Sequence, residues 1–228
     1  MPGGQHKLFE VRHGSGYALK ADVRHYFDSM DHRILLRIIG KRITDPSVLW
    51  LIRVILKNHR TETQGRGMPI GNLTSQFFAN VYLNELDQFV KHTLKVKYYI
   101  RYVDDFVIMH RDKKTLQILQ RSIDDFLRQR LRLELHPEKT RIISLDHGVT
   151  FLGFRIFLKY RLLKKSNSRR IWKRIEKLKQ RYLRGEISIE GARRSLDGWM
   201  AYAKFANTYN LRRKSLIRFK ELFDLMGQ

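Results

Sequence analysis

Tyr98-Tyr99-Ile100-Arg101-Tyr102-Val103-Asp104-Asp105-Phe106-Val107-Ile108-Met109 carries the strongest strand signal in the chain. Val96, Tyr98, Ile100 and Tyr102 alternate, and Phe106, Val107 and Ile108 resume the apolar run. Asp104-Asp105 interrupts it, which predicts a hairpin turning at the two carboxylates. Adjacent carboxylates repel, and burial beside Tyr102 and Phe106 adds a desolvation cost. Turns favour Asp, so a solvated pair is the plainer reading of these two residues alone. A divalent cation changes that balance, because Mg²⁺ takes oxygen ligands, commonly carboxylates plus phosphate oxygens. A third carboxylate from a neighbouring strand would let the site hold two ions, an arrangement suited to in-line phosphoryl displacement. Asp22, at the end of a strand expected over Tyr17–Val23, is the candidate. Asp28 and Asp31 precede a helical pattern and read as capping or structural residues.

Working outward, Ile34, Leu35, Ile38 and Ile39 have helical spacing. Asp45-Pro46 predicts an N-cap and first helical position for a helix through Val48, Leu49, Ile52, Ile55 and Leu56. Residues 64–72, rich in Gly, read as a loop before a long helix bearing Phe77, Phe78, Val81, Tyr82, Leu86, Phe89 and Val90. Residues 114–131 return to helix, and His136-Pro137 breaks the chain. Ile142-Ile143 and Val149–Phe157 read as a second hairpin around Asp146-His147-Gly148. From about 167 the pattern is helical to the end. The expectation is an α+β body with antiparallel strands, followed by an all-α appendage. Its divisions are an irregular segment 1–16, a body 17–160 and a basic helical segment 161–228.

The chain has 228 residues and a formal net charge of +24. Residues 155–228 hold 21 Lys and Arg against 6 Asp and Glu, so a third of the chain carries most of the excess. That balance suits a polyanion, most often nucleic acid. The absence of cysteine excludes a disulfide scaffold, a thiolate zinc site and cysteine catalysis. The nine His have no metal-ligand spacing. No apolar run is long enough for a membrane helix and no signal peptide is legible, so a soluble cytoplasmic protein without membrane contact is expected.

Five stretches in order resemble the motifs of reverse transcriptases. Ala21-Asp22-Val23-Arg24-His25-Tyr26-Phe27-Asp28 resembles the first palm motif, and Tyr102-Val103-Asp104-Asp105 the Tyr-x-Asp-Asp box. Gly67-Met68-Pro69-Ile70-Gly71-Asn72-Leu73-Thr74-Ser75-Gln76 resembles the loop and helix that touch template and nucleotide. Leu135-His136-Pro137-Glu138-Lys139-Thr140 resembles the next motif, and Phe151-Leu152-Gly153-Phe154 the primer-grip hairpin. Residues 198–211 resemble the thumb of the bacterial branch. The Pro-Ile-Gly-Asn-Leu-Thr-Ser-Gln run is similar to reverse transcriptases of diversity-generating retroelements, with Ile70 where many relatives carry Gln.

The resemblance implies a polymerase palm followed by a thumb, and an RNA-directed DNA polymerase that extends a primer on an RNA template with dNTPs. It implies two Mg²⁺ ions on Asp22, Asp104 and Asp105, with the Val23 carbonyl assisting. Phe27 would exclude a ribose 2′-hydroxyl, Ile70, Gly71 and Gln76 would meet the nucleotide or template, and Lys139 would protonate the pyrophosphate. A basic accessory protein is implied as a partner. A fingers region is expected ahead of the first palm motif, and only about sixteen residues precede Tyr17; the expectation is a chain lacking fingers. A group II intron or retron-like enzyme, an RNA-dependent RNA polymerase and an inactive RNA-binding remnant are the alternatives.

Overall fold

The computed structural model describes residues 16–58, 64–68 and 73–224. They fall into two compact units, divided between Leu145 and Asp146. The first is built on a four-stranded antiparallel sheet of β1 (Tyr17–Asp22), β2 (Tyr99–Tyr102), β3 (Asp105–His110) and β4 (Arg141–Ser144), in the order β2-β3-β1-β4. Period-2 alternation sorts β1 into two faces. Leu19 and Ala21, with Phe106 and Ile108 of β3, enter the main buried cluster. Lys20 and Asp22 point to the opposite face.

Helices α1 (His32–Gly40), α2 (Pro46–Lys57), α3 (Leu73–Gln88) and α4 (Lys113–Phe126) accompany this sheet. Asp31 caps α1, accepting from the amides of Arg33 at 2.9 Å and Ile34 at 3.1 Å. Arg132 adds an ion pair to Asp31 at 2.7 Å. Burial alone would raise the Asp31 carboxyl, but these hydrogen bonds outweigh it and hold it below the ordinary carboxylate range. Asp45 caps α2 with Pro46 in its first turn, and Asp112 caps α4. Ile34, Leu35, Ile38 and Ile39 of α1 join Tyr82, Leu83 and Leu86 of α3 in the same cluster as the strand residues. The helices therefore cover the Leu19 face, opposite the one that carries Lys20 and Asp22.

The second unit holds a three-stranded antiparallel meander, β5 (Val149–Phe151), β6 (Phe154–Ile156) and β7 (Arg161–Leu163), then α5 (Lys165–Leu183), α6 (Ile189–Ala203) and α7 (Tyr209–Asp224). Ile171, Ile175, Leu178, Leu196, Trp199 and Phe223 form its core. The hairpin expected across Asp146-His147-Gly148 is not formed. β4 pairs instead with β1, and the run from Val149 to Phe157 is folded on itself by a turn at Leu152-Gly153. The division of compact units also lies upstream of the 160/161 boundary expected from sequence. Leu163 is part of the helical core and Phe154 packs against it, so the meander stays with the helices. Among the described residues no helix is long and apolar enough to cross a membrane.

Leu152 and Gly153 both take positive φ, 49° and 84°, as a two-residue hairpin turn of the primed type requires. A Cβ on Gly153 would lie 2.5 Å from the Tyr202 hydroxyl and 2.8 Å from Asn167 Nδ2. Gly153→Ala is expected to destabilise this unit by about 3 kcal/mol, from the left-handed penalty plus overpacking. Gly185 has φ 69° but open space around it, so Gly185→Ala should cost only about 1 kcal/mol. Thermal unfolding of the two variants side by side checks the difference.

Candidate active site

The pairing of β1 with β3 sets Asp22 directly opposite Asp105. Side chains so opposed share a face, with Cβ atoms about 4.5–5.5 Å apart. Tyr102 also pairs with Asp105 and closes a two-residue turn made of Val103 and Asp104. The turn thus lies one residue earlier than the acidic dipeptide suggested, and Asp105 is already strand. Val103 sits at φ 55°, a costly conformation for a β-branched residue. Arg101 Nη1 donates to the Val103 carbonyl at 2.7 Å. Arg101 is itself clamped by both carboxylate oxygens of Asp87 on α3, and the Tyr99 hydroxyl donates to Asp87 at 2.7 Å. On the other side, the Val23 amide donates to the Asp104 carbonyl at 3.3 Å.

Lys139 reaches this place because its segment is pinned to the end of β1. Val23 bridges Leu135, and the His136 amide donates to the Asp22 carbonyl at 2.8 Å. Lys139 Nζ then donates to Asp22 Oδ1 at 3.1 Å, and Asp22 is largely buried, its side chain 12% exposed. Lys20 Nζ lies 3.6 Å from Asp105 Oδ1. That oxygen is buried and, apart from this ion pair, has no hydrogen-bond partner among the described residues. Asp104 is pushed above the ordinary carboxylate range, first by burial and then by the charges of Asp22 and Asp105, against the opposing pull of a backbone hydrogen bond and Lys139. Among the described residues no group of three His, Cys, Asp or Glu side chains is gathered into a ready-made metal cage. The donor set still suits a hard cation: three mutually repelling carboxylates, one with a buried oxygen that lacks a donor.

This chain matches the family described as reverse transcriptase (RNA-dependent DNA polymerase) over residues 3–156, more than half its length. It belongs to the reverse transcriptase family. Among curated relatives of this reverse transcriptase chain, Protein YkfC of Escherichia coli (strain K12) is 25% identical over 180 residues, 63% of this chain and 47% of that protein. The group II intron-encoded protein LtrA of Lactococcus lactis subsp. cremoris is 25% identical over 243 residues, 77% of this chain and 39% of its own. The chain thus spans less than half the length of either relative. The solved telomerase from Candida albicans, in complex with a fragment of telomeric RNA, has a TM-score of 0.61 at 14% identity, covering 99% of this chain and 42% of that one. The apo telomerase of Candida tropicalis has a TM-score of 0.57 at 17% identity, covering 90% and 43%. The chain therefore has the α+β fold of reverse transcriptases and telomerases.

The remaining expected site residues of the reverse transcriptase chain are distributed as follows. Phe27 is half-buried beside the Tyr26 ring, with ring centres 5.4 Å apart. Its carbonyl accepts from the Met68 amide at 2.7 Å, and Met30 accepts from Gly67 at 2.8 Å, so the Gly67-Met68 segment is laid against Phe27. Gln76 is exposed in the first turn of α3. Ile70 and Gly71 lie outside the described residues. Asp28 is exposed, while Asp31 caps α1. Arg101, Asp87 and Tyr99 were not singled out by the sequence reading. The legible signal was a lone guanidinium inside a strongly apolar strand, a position tolerated only with a partner.

Proposed function

We propose that this chain forms the nucleotidyl-transfer centre of an RNA-directed DNA polymerase, extending a primer 3′-hydroxyl on an RNA template with dNTPs. The observation that carries the reading is the Asp22–Asp105 cross-strand pair beside Asp104, with a buried Asp105 oxygen that has no hydrogen-bond donor among the described residues. Asp22, Asp104 and Asp105, with the Val23 carbonyl, would hold two Mg²⁺ ions. When bound, such ions activate the attacking hydroxyl and stabilise the leaving oxygen. The strands fix two of the carboxylates, so the cost of assembling like charges is met during folding. Lys139 is 3.1 Å from Asp22; once released from that carboxylate it would be a proton donor for the departing pyrophosphate. The unit built on β1 to β4 serves as palm, and the basic helices α5 to α7 serve as thumb on the phosphate backbone. A basic accessory protein that holds the RNA completes the proposal.

Primer extension on an RNA template with Mg²⁺ tests it. Incorporation of labelled dNTP is expected; retained RNA binding with no incorporation would sink the reading for this chain. Phe27 supplies a second test. Its ring would exclude the ribose 2′-hydroxyl, while the backbone bond to Met68 does not need the ring. Phe27→Ala should therefore relax discrimination against ribonucleotides by about 10–200-fold, the range for a contact of this size. Single-nucleotide incorporation of dNTP against NTP measures it.

The finer assignment is to diversity-generating retroelements, on the strength of Ile70 before Gly71 and Asn72. Ile cannot offer the hydrogen bonds that Gln could beside the nascent pair, and the resemblance implies relaxed fidelity, notably opposite template adenine. The second reading is a group II intron enzyme, favoured by the similarity to LtrA over 77% of the chain. An error spectrum without excess opposite adenine would select it.

A further inference from the structure

We propose that a cavity between α1, α2 and the 64–68 loop is a second binding site for a nucleic-acid phosphodiester strand, on the helical side of the sheet. The cavity has a volume of about 1100 Å³. Arg33 of α1, Arg53 and Lys57 of α2, Arg66 of the loop, and Arg132 line it. The acidic residue among them is Asp31, which is buried and already engaged by the α1 amides and by Arg132 at 2.7 Å. Arg132 is taken up by that carboxylate, so Arg33, Arg53 and Lys57 are the cations that carry the site. Arg33, Arg53 and Lys57 are exposed and have no ionic partner among the described residues.

The location is separate from the carboxylates. The α1 residues Ile34, Leu35, Ile38 and Ile39 pack into the cluster that contains Leu19 and Ala21, whereas Asp22 alternates to the other face. Arg53 and Lys57 stand one helical turn apart, where like charges repel. A bound polyanion would relieve that repulsion. Of the other polar groups, Asp31 is occupied, His32 Nε2 bonds the Gly67 carbonyl at 2.7 Å, and Gln64 is an exposed amide on the loop. Leu36 and Leu56 provide an apolar floor. Spread cations on two helices, with a single exposed amide beside them, suit repeated phosphates better than a base or a single metabolite.

The test is fluorescence anisotropy of a labelled single-stranded RNA, and of DNA of the same sequence, across a KCl series. Arg33→Ala/Arg53→Ala/Lys57→Ala changes only exposed side chains. A control, Arg111→Ala/Lys113→Ala/Lys114→Ala, removes equal charge from exposed positions around the start of α4. The cavity variant should bind RNA about tenfold more weakly and make the salt dependence of log K shallower by about 2, as loss of three single-strand phosphate contacts requires. The control should match the parent chain. Parallel losses for RNA and DNA assign the site to phosphodiester in general; a loss for RNA alone assigns it to RNA. Unchanged binding by the cavity variant, or equal weakening by both variants, overturns the proposal. RNA should also protect Lys57 from amine acetylation more than Lys113 and Lys114, and equal reactivity would count against the site. The readout is binding alone, so an inactive polymerase would sink the preceding function and leave this inference standing.

Discussion

Asp104→Asn is expected to abolish primer extension while leaving the melting temperature at or above that of the parent chain. The loss should be at least about a thousandfold, equivalent to ~4 kcal/mol of transition-state stabilisation. The stability half follows from the crowding of carboxylates. Burial and the charges of Asp22 and Asp105 raise the Asp104 carboxyl above its ordinary range. A raised acid favours the fold while it is protonated, below its unfolded pKa. That increment is lost as pH rises through the folded pKa, so ionised Asp104 weighs against the fold at neutral pH. Asparagine keeps the shape and removes the charge. A thermal scan at acidic and neutral pH should show the variant's advantage growing with pH. Added Mg²⁺ should raise the melting temperature of the parent chain and raise that of the variant less. A variant that melts lower than its parent at neutral pH would mean that Asp104 is structural.

Local signals were the legible ones. The acidic turn, the apolar stripe of α1 and the caps at Asp31 and Asp45 each depend on neighbours within one or two turns. The turn was misplaced by a single residue because Asp pairs are good turn formers and a β-branched Val at positive φ is not. What decides the register is the pairing of Tyr102 and Asp22 with Asp105, and Asp22 lies far away in sequence. The partner of Ile142-Ile143 was misread for the same reason. Alternation says that a strand exists, and a nearby turn invites a hairpin, but β1 takes β4 from a distance of more than a hundred residues. Asp22 was found through its neighbours in sequence, whereas its contact with Lys139 depends on the Val23–Leu135 bridge. The carboxylates and Lys139 were therefore readable as residues, but the contacts that hold them, and the Asp87–Arg101 pair, were not.

Those holding groups account for the second large effect, expected at Asp87. Arg101 is nearly buried, its side chain 9% exposed, and Asp87 is the carboxylate that neutralises it. Asp87→Ala leaves a buried guanidinium uncompensated and the Tyr99 hydroxyl without its acceptor. The expected cost is about 3–5 kcal/mol, read by thermal or urea unfolding. Removing both charges should hurt less: Asp87→Ala/Arg101→Met replaces a buried ion pair with apolar packing and should recover part of that loss. The double variant separates stability from positioning, because Met offers no donor to the Val103 carbonyl. With that 2.7 Å bond gone, the strained φ at Val103 loses its support, and the Asp104-Asp105 segment is free to shift. Extension by the double variant should remain depressed after its stability is restored, with the deficit in kcat and not in template affinity. Activity that recovers in step with stability would instead make Arg101 an ordinary core ion pair with no part in placing the turn.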